Sequence, residues 1–364
     1  MTELRGWRYR GTAPPSLADC SLVIPTCGRP AELVRLLDSL VELDAVPGEV
    51  VVVDGSSDRA AASALLDWSR GRSLSFDLVW LRAPAGLTRQ RNVGLDASRG
   101  RYVFFLDDDC VPLSGYFTAL RAALEDPAHV DVGAVGGSIV NVMGQPLPRR
   151  WQVRLALGIV PRLRPGIYYE SCTSVPSSLQ PHFTGCMTTD LVPGGAVAYR
   201  RAVFDEQRFS GFFEGYAQGE DVEMSLRIGR SWRLLWSGDA HVLHLHAPGG
   251  RPRGLAKGRM DVRNRYFIWR RHTPLAAPIH RVRFWLDIAF IGGWDLLTFL
   301  RHPARRGTLA HGAGVLVGAL GCLLRPPSYR EEHPVVPDTI VLEDLLADGP
   351  ATAMIPVPQW RTGS

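Results

Sequence analysis

Short apolar runs alternate with helical patterns along the first third of the chain. The continuous apolar runs cover residues 21–25, 49–54, 78–81 and 102–106. Apolar residues recur at helical spacing over 30–41 and 87–97. Between these two ranges, an Ala- and Leu-rich segment that ends at about residue 68 predicts another helix. Strands with continuous apolar sequence are buried on both faces, and a repeated strand–helix unit predicts a mainly parallel sheet. We therefore expect an α/β fold with helices on both faces of the sheet.

The pattern is less regular in the second half of the chain. Residues 143–190 are rich in Pro, Gly, Ser and Thr, which predicts an irregular insertion. Strand-like patterning resumes at 193–199, and strict alternation of apolar residues over 222–228 predicts a further strand. The composition shifts toward Trp, Arg and apolar residues from about 259. The pattern of the last 40 or so residues predicts little regular structure.

Composition places the chain among ordinary globular proteins. Of its 364 residues, 46% are hydrophobic and 21% are charged. These values exclude a largely disordered chain, a collagen-like repeat and a small disulfide scaffold. The length favours two domains, or one large domain with appendages. Lys257 is the single lysine among 41 basic residues, but the net charge of +5 is modest and requires no nucleic-acid partner.

Cysteine usage and the first residues indicate a reducing compartment. The six cysteines form no Cys-x-x-Cys pair and no metal-finger spacing. Residues 1–21 contain charges but no apolar core segment, so we expect no signal peptide. A cytoplasmic location with free thiols is the expectation that follows.

Three adjacent carboxylates, Asp107 to Asp109, directly follow the apolar run at 102–106. Neighbouring carboxylates repel one another, so this arrangement favours a bound cation. Carboxylate oxygens suit Mg²⁺ or Mn²⁺, which bind a few side chains together with substrate phosphates. A solvated acidic turn is the alternative for this triplet alone.

Asp54 ends a run of four valines and precedes a Gly-Ser-Ser-Asp turn. A carboxylate at a strand end can accept hydrogen bonds from a base or a ribose, and it can equally cap a helix. Arg89 and Arg91 alternate on the third helix and cannot share one face, so one of them is a candidate to face a ligand, with a solvated helix face as the alternative.

Two later clusters also offer chemistry. Glu220 and Asp221 are paired carboxylates, one of which can act as a general base, and burial among aromatic residues would raise the pKa of Asp221. His244 and His246 are two residues apart in a strand-like run, so they would point to one face and reach one ion.

Together these segments resemble the family 2 glycosyltransferases of the GT-A fold. The resemblance rests on six short segments in order, namely 22–30, 51–58, 86–94, 100–109, 194–201 and 219–223. The order and spacing match from about residue 20 to 250. The family implies an inverting, nucleotide-sugar-dependent enzyme with a Rossmann-like, mainly parallel sheet.

The resemblance implies a role for each matching residue. The nucleotide-binding residues are Thr26, Arg29, Asp54, Arg91, Asp107 and Asp108. Among them Thr26, Asp54 and Arg91 match positions for the base and ribose, while Asp107 and Asp108 lie toward the ribose and diphosphate. Asp109 matches the main metal ligand, completed by His244 in preference to His246. Asp221 matches the catalytic base, and Glu220 supports it. Cys27 and Gly28 depart from the family pattern in the first loop.

The implied reaction moves a sugar from a nucleoside-diphosphate sugar, of UDP or dTDP type, to a hydroxyl-bearing acceptor. A glycan, a lipid-linked glycan and a natural product are all open as acceptors, and Mn²⁺ or Mg²⁺ is the expected cofactor. A sugar-phosphate nucleotidylyltransferase is the nearest alternative, but the loop after the first strand lacks the glycine-rich basic sequence that it needs. A non-catalytic nucleotide-sugar-binding or membrane scaffold module would need neither carboxylate set.

The expected organisation has four parts. They are an N-terminal extension at 1–19, a catalytic domain at 20–258 divided at about 140 into nucleotide-sugar and acceptor halves, a helical region at 259–330, and a tail at 331–364. Basic and aromatic residues at 259–306 suit a lipid headgroup layer. The segment 307–324 has no formal charge and just reaches the length of a membrane span. Peripheral association with the inner face of the plasma membrane, a helical cap and a true span all remain open.

Overall fold

The computed structural model describes residues 3–247, 249, 251–273, 277–328, 339–346 and 349–356. The strands are β1 Glu3–Tyr9, β2 Leu17–Thr26, β3 Pro47–Asp54, β4 Asp77–Arg82, β5 Tyr102–Leu106, β6 Cys110–Pro112, β7 Val132–Ile139, β8 Tyr168–Tyr169, β9 Thr173–Ser174, β10 Cys186–Thr189, β11 Ala196–Arg200, β12 Arg233–His244, β13 Thr339–Leu346 and β14 Gly349–Pro356. The helices are α1 Pro30–Val41, α2 Ala60–Ser69, α3 Leu87–Ala97, α4 Tyr116–Glu125, α5 Arg149–Ala156, α6 Glu220–Ile228, α7 Gly254–His272, α8 Pro278–Arg301 and α9 Arg306–Leu324.

One mixed sheet of 12 strands organises the described residues, in the order β10-β12-β7-β11-β5-β2-β3-β4-β1-β13-β14, with β6 paired to β12. The four central strands β5, β2, β3 and β4 are parallel. The chain runs outward from β2 through β3 to β4 and then returns to place β5 on the other side of β2. The strand order therefore reverses at β2, and ligands of open α/β sheets bind at the carboxyl ends of strands beside such a reversal.

The predicted layers are confirmed by the two cores that cover the sheet. Alternate side chains of each strand point to opposite faces. Leu22 and Ile24 join the core beneath α1, α2 and α4, while Val23 joins the core beneath α3. Both sets are fully buried, which explains why the strand sequences are continuously apolar rather than alternating.

The strand predicted at 222–228 is wrong, because this segment is helix α6. Gly219 precedes the helix with φ +88°, and three acidic residues in its first turn complement the positive end of the helix dipole. Arg227 donates to Glu223 at 2.8 Å, the i,i+4 spacing of a helical ion pair. Met224 and Ile228, at the same spacing, are the fully buried apolar residues, so the alternation of apolar residues was coincidental.

Two segments expected to be irregular contain regular structure. The 143–190 insertion includes helix α5 and the small β8–β9 hairpin, and Arg154 of α5 donates to the buried Asp287 of α8 at 2.7 Å. Near the end of the chain, β13 pairs in parallel with β1, which itself pairs with β4. β14 pairs antiparallel with β13, and the other residues of the expected tail lie outside the described residues. The division into domains stays a prediction.

The last three helices pack through glycines. A Cβ atom on Gly258 of α7 would lie 2.2 Å from the carbonyl oxygen of His311 in α9, and one on Gly314 would lie 2.3 Å from that of Leu255. Neither position accepts a side chain while the two backbones are this close. The helical region expected after 259 therefore exists, begins at Gly254, and has α9 in backbone contact with α7.

We predict that Gly258→Ala destabilises the protein by about 1–3 kcal/mol, because the added methyl group would overlap the backbone of α9. Gly293→Ala is the matched control, since a Cβ at this α8 position has no neighbour within 4 Å. It should be neutral or should raise stability by up to about 1 kcal/mol through helix propensity. Urea unfolding of both variants measures the difference. Equal stability of the two variants would contradict the close packing of α7 and α9.

Candidate active site

The predicted nucleotide-binding residues meet at the carboxyl edge of the central strands. Thr26 ends β2, Asp54 ends β3, and Asp107 to Asp109 follow β5. Thr26 Oγ1 donates to Asp108 Oδ2 at 2.8 Å, which joins the ends of β2 and β5. The strand reversal at β2 is therefore the place where the polar clusters of the sequence converge.

Gln90 joins the ends of β2 and β3 and was missed by sequence reasoning. Its side-chain nitrogen donates to the carbonyl oxygens of Thr26 at 2.7 Å and Val53 at 2.9 Å. The residue is buried on α3, inside the Arg-Gln-Arg-Asn segment that drew attention only for its arginines. The one signal in the sequence was an uncharged amide side chain between two arginines. The two carbonyl groups that it binds come together only in the folded chain.

Asp54 is almost fully buried and has one carboxylate oxygen free for a ligand. Its Oδ1 accepts from the backbone N–H of Ser56 at 2.8 Å, as in a turn-capping residue. Its Oδ2 has no hydrogen-bond partner among the described residues. A buried acceptor without a donor is costly, so Oδ2 is suited to receive a hydrogen bond from a bound molecule.

Arg29 holds the middle carboxylate of the acidic triplet. Its Nη1 donates to Asp108 Oδ1 at 2.9 Å and lies 3.6 Å from Asp109 Oδ2. Burial raises the pKa of Asp108 to about 6, against the opposing effects of Thr26 and Arg29. Asp108 therefore serves to position Thr26 and Arg29 at the mouth of the site.

Asp109 and His244 form the best candidate metal pair. His244 Nε2 lies 3.2 Å from Asp109 Oδ1, and the backbone N–H of Ala247 donates to Asp109 Oδ2 at 3.0 Å. Burial alone would raise the pKa of Asp109, but the hydrogen bond and charge of His244, together with Arg29, hold it below its usual value. One carboxylate oxygen and one imidazole nitrogen form a donor set that Mn²⁺ accepts.

His244, and not His246, belongs with Asp109 and Cys110 to the group of described side chains that could hold a metal ion, and the preference for His244 stays a prediction. The strand β12 ends at His244, and His246 follows it with φ +52°, so the expectation that both lie on one strand is wrong. Their rings are nevertheless 4.0 Å apart. Cys110 also lies near this pair, but burial raises the pKa of its thiol well above the usual value, which keeps it protonated.

Arg91 links the acidic triplet to the later carboxylate pair. Its guanidinium is 1% exposed, donates to Glu220 through Nη1, and donates to Asp107 Oδ1 through Nη2 at 3.0 Å. Burial raises the pKa of Glu220, and Arg91 opposes that rise. The family resemblance implies a nucleotide-binding role for Arg91. The structure gives it two carboxylate partners beneath the site, while Arg89 is exposed on the same helix.

Asp221 lies at the start of α6, close to the same ion pairs. Burial raises its pKa, as expected from the sequence, and backbone hydrogen bonds from Val222 and Gly194 oppose the rise. Gly194 and Gly195 allow this proximity. A Cβ on Gly194 would lie 2.7 Å from Glu220 Oε1, and one on Gly195 would lie 2.3 Å from Asp107 Oδ2.

The site carries more negative than positive groups. Six carboxyl groups converge there, those of Asp54, Asp107, Asp108, Asp109, Glu220 and Asp221. Three guanidinium groups oppose them, those of Arg29, Arg91 and Arg251, the last 3.9 Å from Asp109. The structure thus brings together every site residue predicted from the sequence, and the excess of carboxylates favours a divalent cation.

Comparison with known proteins identifies relatives of one kind. Residues 21–206, just over half of the chain, match the profile described as glycosyl transferase family 2. A pre-mycofactocin glycosyltransferase of Mycobacterium tuberculosis is 26% identical over 315 residues, which cover 85% of this chain and 53% of the relative. The chain thus spans about half the length of this curated relative. An uncharacterized glycosyltransferase of Haemophilus influenzae is 33% identical over 91 residues, which cover 24% of this chain and 29% of the relative.

A solved structure shows the same fold. The mannosyltransferase from Pyrobaculum calidifontis, in complex with GDP-Man and Mn²⁺, superposes with a TM-score of 0.50 and 18% sequence identity. The superposition covers 85% of this chain and 89% of the mannosyltransferase. The similarity confirms the predicted GT-A architecture.

We predict that Arg91→Met destabilises the protein by about 3 kcal/mol or more, because it leaves two carboxylates of the site without their shared cation. Arg89→Met, at the exposed neighbouring position, should change stability by less than about 0.5 kcal/mol. Arg91→Lys should fall between the two, since lysine keeps the charge but cannot bind two carboxylates with separate nitrogens. Urea unfolding tests the order. An Arg91→Met variant as stable as Arg89→Met would contradict the bridging role.

Proposed function

The chain belongs to glycosyl transferase family 2, and we propose that it transfers a sugar from a nucleoside-diphosphate sugar to an acceptor hydroxyl with inversion at the anomeric carbon. The observation that carries this proposal is the contact of Arg91 with both Glu220 and Asp107. Arg91 thus holds Asp107, on the side proposed for the donor, and Glu220, next to the proposed base Asp221, at one edge of the sheet. The catalytic part would extend over about residues 20–258.

The donor nucleotide would lie over the ends of β2 and β3. The free Oδ2 of Asp54 is the acceptor for a base N–H or a ribose hydroxyl, and Thr26 lies beside it at the end of β2. Arg29 and Arg251 near Asp109 are suited to the negative diphosphate. A donor of UDP or dTDP type is our proposal. The mannosyltransferase of P. calidifontis holds GDP-Man, so a binding test should include guanine nucleotides.

A divalent cation, Mn²⁺ or Mg²⁺, would be held by Asp109 and His244. When bound, such an ion supplies neutralisation of the negative charge that develops on a departing diphosphate. The donor chemistry of Asp109 and His244 and the excess of carboxylates support this assignment. The Mn²⁺ in the mannosyltransferase of P. calidifontis agrees with it.

Asp221 would act as the base on the acceptor. Its carboxylate takes the hydroxyl proton while the acceptor oxygen forms a bond to the anomeric carbon. The bond from that carbon to the diphosphate oxygen breaks on the opposite face, and its electron pair leaves with the diphosphate. Burial raises the pKa of Asp221, which makes it a stronger base than an exposed aspartate. Glu220 and Arg91 would position it, because Glu220 precedes it in the first turn of α6.

We predict that Asp109→Ala and Asp221→Asn abolish transfer by different routes. Asp109→Ala should lose Mn²⁺-dependent binding of nucleoside diphosphates, since it removes a ligand of the cation. Asp221→Asn should bind them nearly as tightly as the wild type, because the base acts on the acceptor. Calorimetric titration with uridine, thymidine and guanosine diphosphates, with and without Mn²⁺, measures both effects and compares the bases.

His244→Ala and His246→Ala provide a matched pair for the same titration. We expect the first to weaken Mn²⁺-dependent binding and the second to leave it nearly unchanged. Mn²⁺-dependent binding by Asp109→Ala equal to that of the wild type would contradict the metal assignment. Loss of nucleotide binding in Asp221→Asn would contradict the separation of donor and acceptor roles.

We predict that kcat/KM declines at acidic pH, and that this decline begins at a higher pH than it would for an ordinary exposed aspartate. The base acts as a carboxylate, so kcat/KM declines as the pH falls through its pKa. Because burial raises that pKa above its usual value of about 4, the decline should begin correspondingly higher. The pH profile of nucleoside-diphosphate release from the donor sugar measures it. An acid limb at or below pH 4 would count against Asp221 as the base.

A further inference from the structure

Positive charge is concentrated in the last three helices. Residues 254–325 contain twelve Lys or Arg and three Asp. This gives a net charge of +9 against +5 for the whole chain, so the other residues together carry −4. The three aspartates are all paired, Asp261 with Lys257, Asp287 with Arg154, and Asp295 with His311. The exposed charge of this region is therefore mainly that of arginine.

The helix α9 presents an apolar stripe on its outer side. The stripe, called here the apolar face of α9, consists of Leu309, Leu316, Val317, Leu320, Leu323 and Leu324, which are 40–71% exposed. Separations of three, four or seven residues relate the members of this set, which places them on one side of the helix. The adjacent α8 carries a similar exposed stripe, consisting of Ile279, Val282, Leu286, Leu296, Leu297 and Leu300. Such clusters of large exposed side chains are uncommon on monomeric proteins and mark an interaction surface.

A basic groove adjoins the apolar face of α9. The groove between α7 and α9 has a volume of about 640 Å³, and Arg259, Arg263 and Arg325 line it together with Val317 of the apolar face. Glu214 is the one carboxylate in its described lining and lies 4.0 Å from Arg263. In a bilayer surface, anionic headgroups cover the acyl chains. The guanidinium groups of the groove could contact the headgroups while the neighbouring apolar stripe contacts the acyl chains.

We propose that the apolar face of α9 and the basic groove dock this protein onto an anionic membrane surface, with α9 lying in the interface rather than crossing it. Within the described residues, α9 alone is long and apolar enough to cross a membrane by length and composition. The opposite side of α9 is occupied, however, because Gly314 and Gly318 bring it against the backbone of α7. A spanning helix would have to leave this contact.

A charged group on the inner side of α9 also favours the interfacial position. His311 contacts Asp261 of α7 and Asp295 of α8, and these hydrogen bonds raise its pKa to about 9. Spanning would require this charged network to separate or enter the hydrocarbon layer, which is costly. A second copy of the chain is the other conceivable occupant. A symmetric pairing would bring the arginine-rich rims together, since an isologous contact uses the same patch on both subunits.

The proposal is independent of the transfer reaction, and vesicle flotation tests it with the full chain and no donor or acceptor. We expect the protein to float with phosphatidylcholine vesicles that contain phosphatidylglycerol and to float less with phosphatidylcholine alone. Leu316→Ser combined with Leu320→Ser and Leu323→Ser should reduce partitioning at least about tenfold, because three exposed apolar side chains are lost from the interface. The matched control replaces Val130, Leu155 and Leu157 by Ser, since these are exposed elsewhere.

The double variant Arg259→Gln/Arg325→Gln tests the groove. The double variant Arg35→Gln/Arg70→Gln, at arginines outside the last three helices, is its control. Each groove arginine removed should weaken binding to the anionic vesicles about fivefold, with little change on neutral vesicles. Three outcomes would overturn the proposal. They are no flotation of the wild type with anionic vesicles, equal flotation of the leucine variant and the wild type, or a wild-type dimer that the leucine variant dissociates while neither protein binds vesicles. Circular dichroism of each variant confirms that it is folded.

Discussion

The candidate site depends on one buried guanidinium group with two carboxylate partners. Arg91 on α3 contacts Asp107 after β5 and Glu220 at the start of α6. These two segments are separated by more than a hundred residues, and without a shared cation the buried carboxylate of Glu220 and the half-buried one of Asp107 would repel one another. A guanidinium suits this position because its planar fork offers separate nitrogens to two acceptors. The same contact holds Asp221 next to the residues that follow the central strands.

The sheet and the glycines create the space for that contact. The reversal of strand order at β2 places the ends of β2, β3 and β5 side by side, so three separate polar turns become one surface. The turn before β11 then passes over Asp107 and Glu220 at a distance that excludes any side chain at Gly194 or Gly195. Glycine at these positions is therefore a requirement of the site's geometry, in addition to a feature of the turn.

Much of the fold follows from local pattern, whereas the partners of buried charges do not. Continuous apolar runs located β2 to β5 because burial on both faces leaves little choice of residue type. The same pattern misassigned α6, where Val222 and Leu226 are only half-buried and acidic residues in the first turn favour a helix. The position of Asp109 beside His244 was predictable through the resemblance to a family. The bridging by Arg91 was not, because its two partners lie 16 and 129 residues away and meet only in the folded chain.

Two groups of arginines in the chain have different physical uses. Buried arginines such as Arg91, Arg154 and Arg227 each pair with carboxylates inside the protein, where the weaker hydration of a guanidinium makes burial less costly than for an ammonium. Most of the arginines around α7 to α9 instead remain exposed and give this region its excess of positive charge. Exposed charges affect the field outside the protein more than buried pairs do, so a concentration of them on one region can direct the molecule toward an anionic surface. An orientation set by that field would fix where an acceptor reaches the proposed base Asp221, since α7 packs directly against α6.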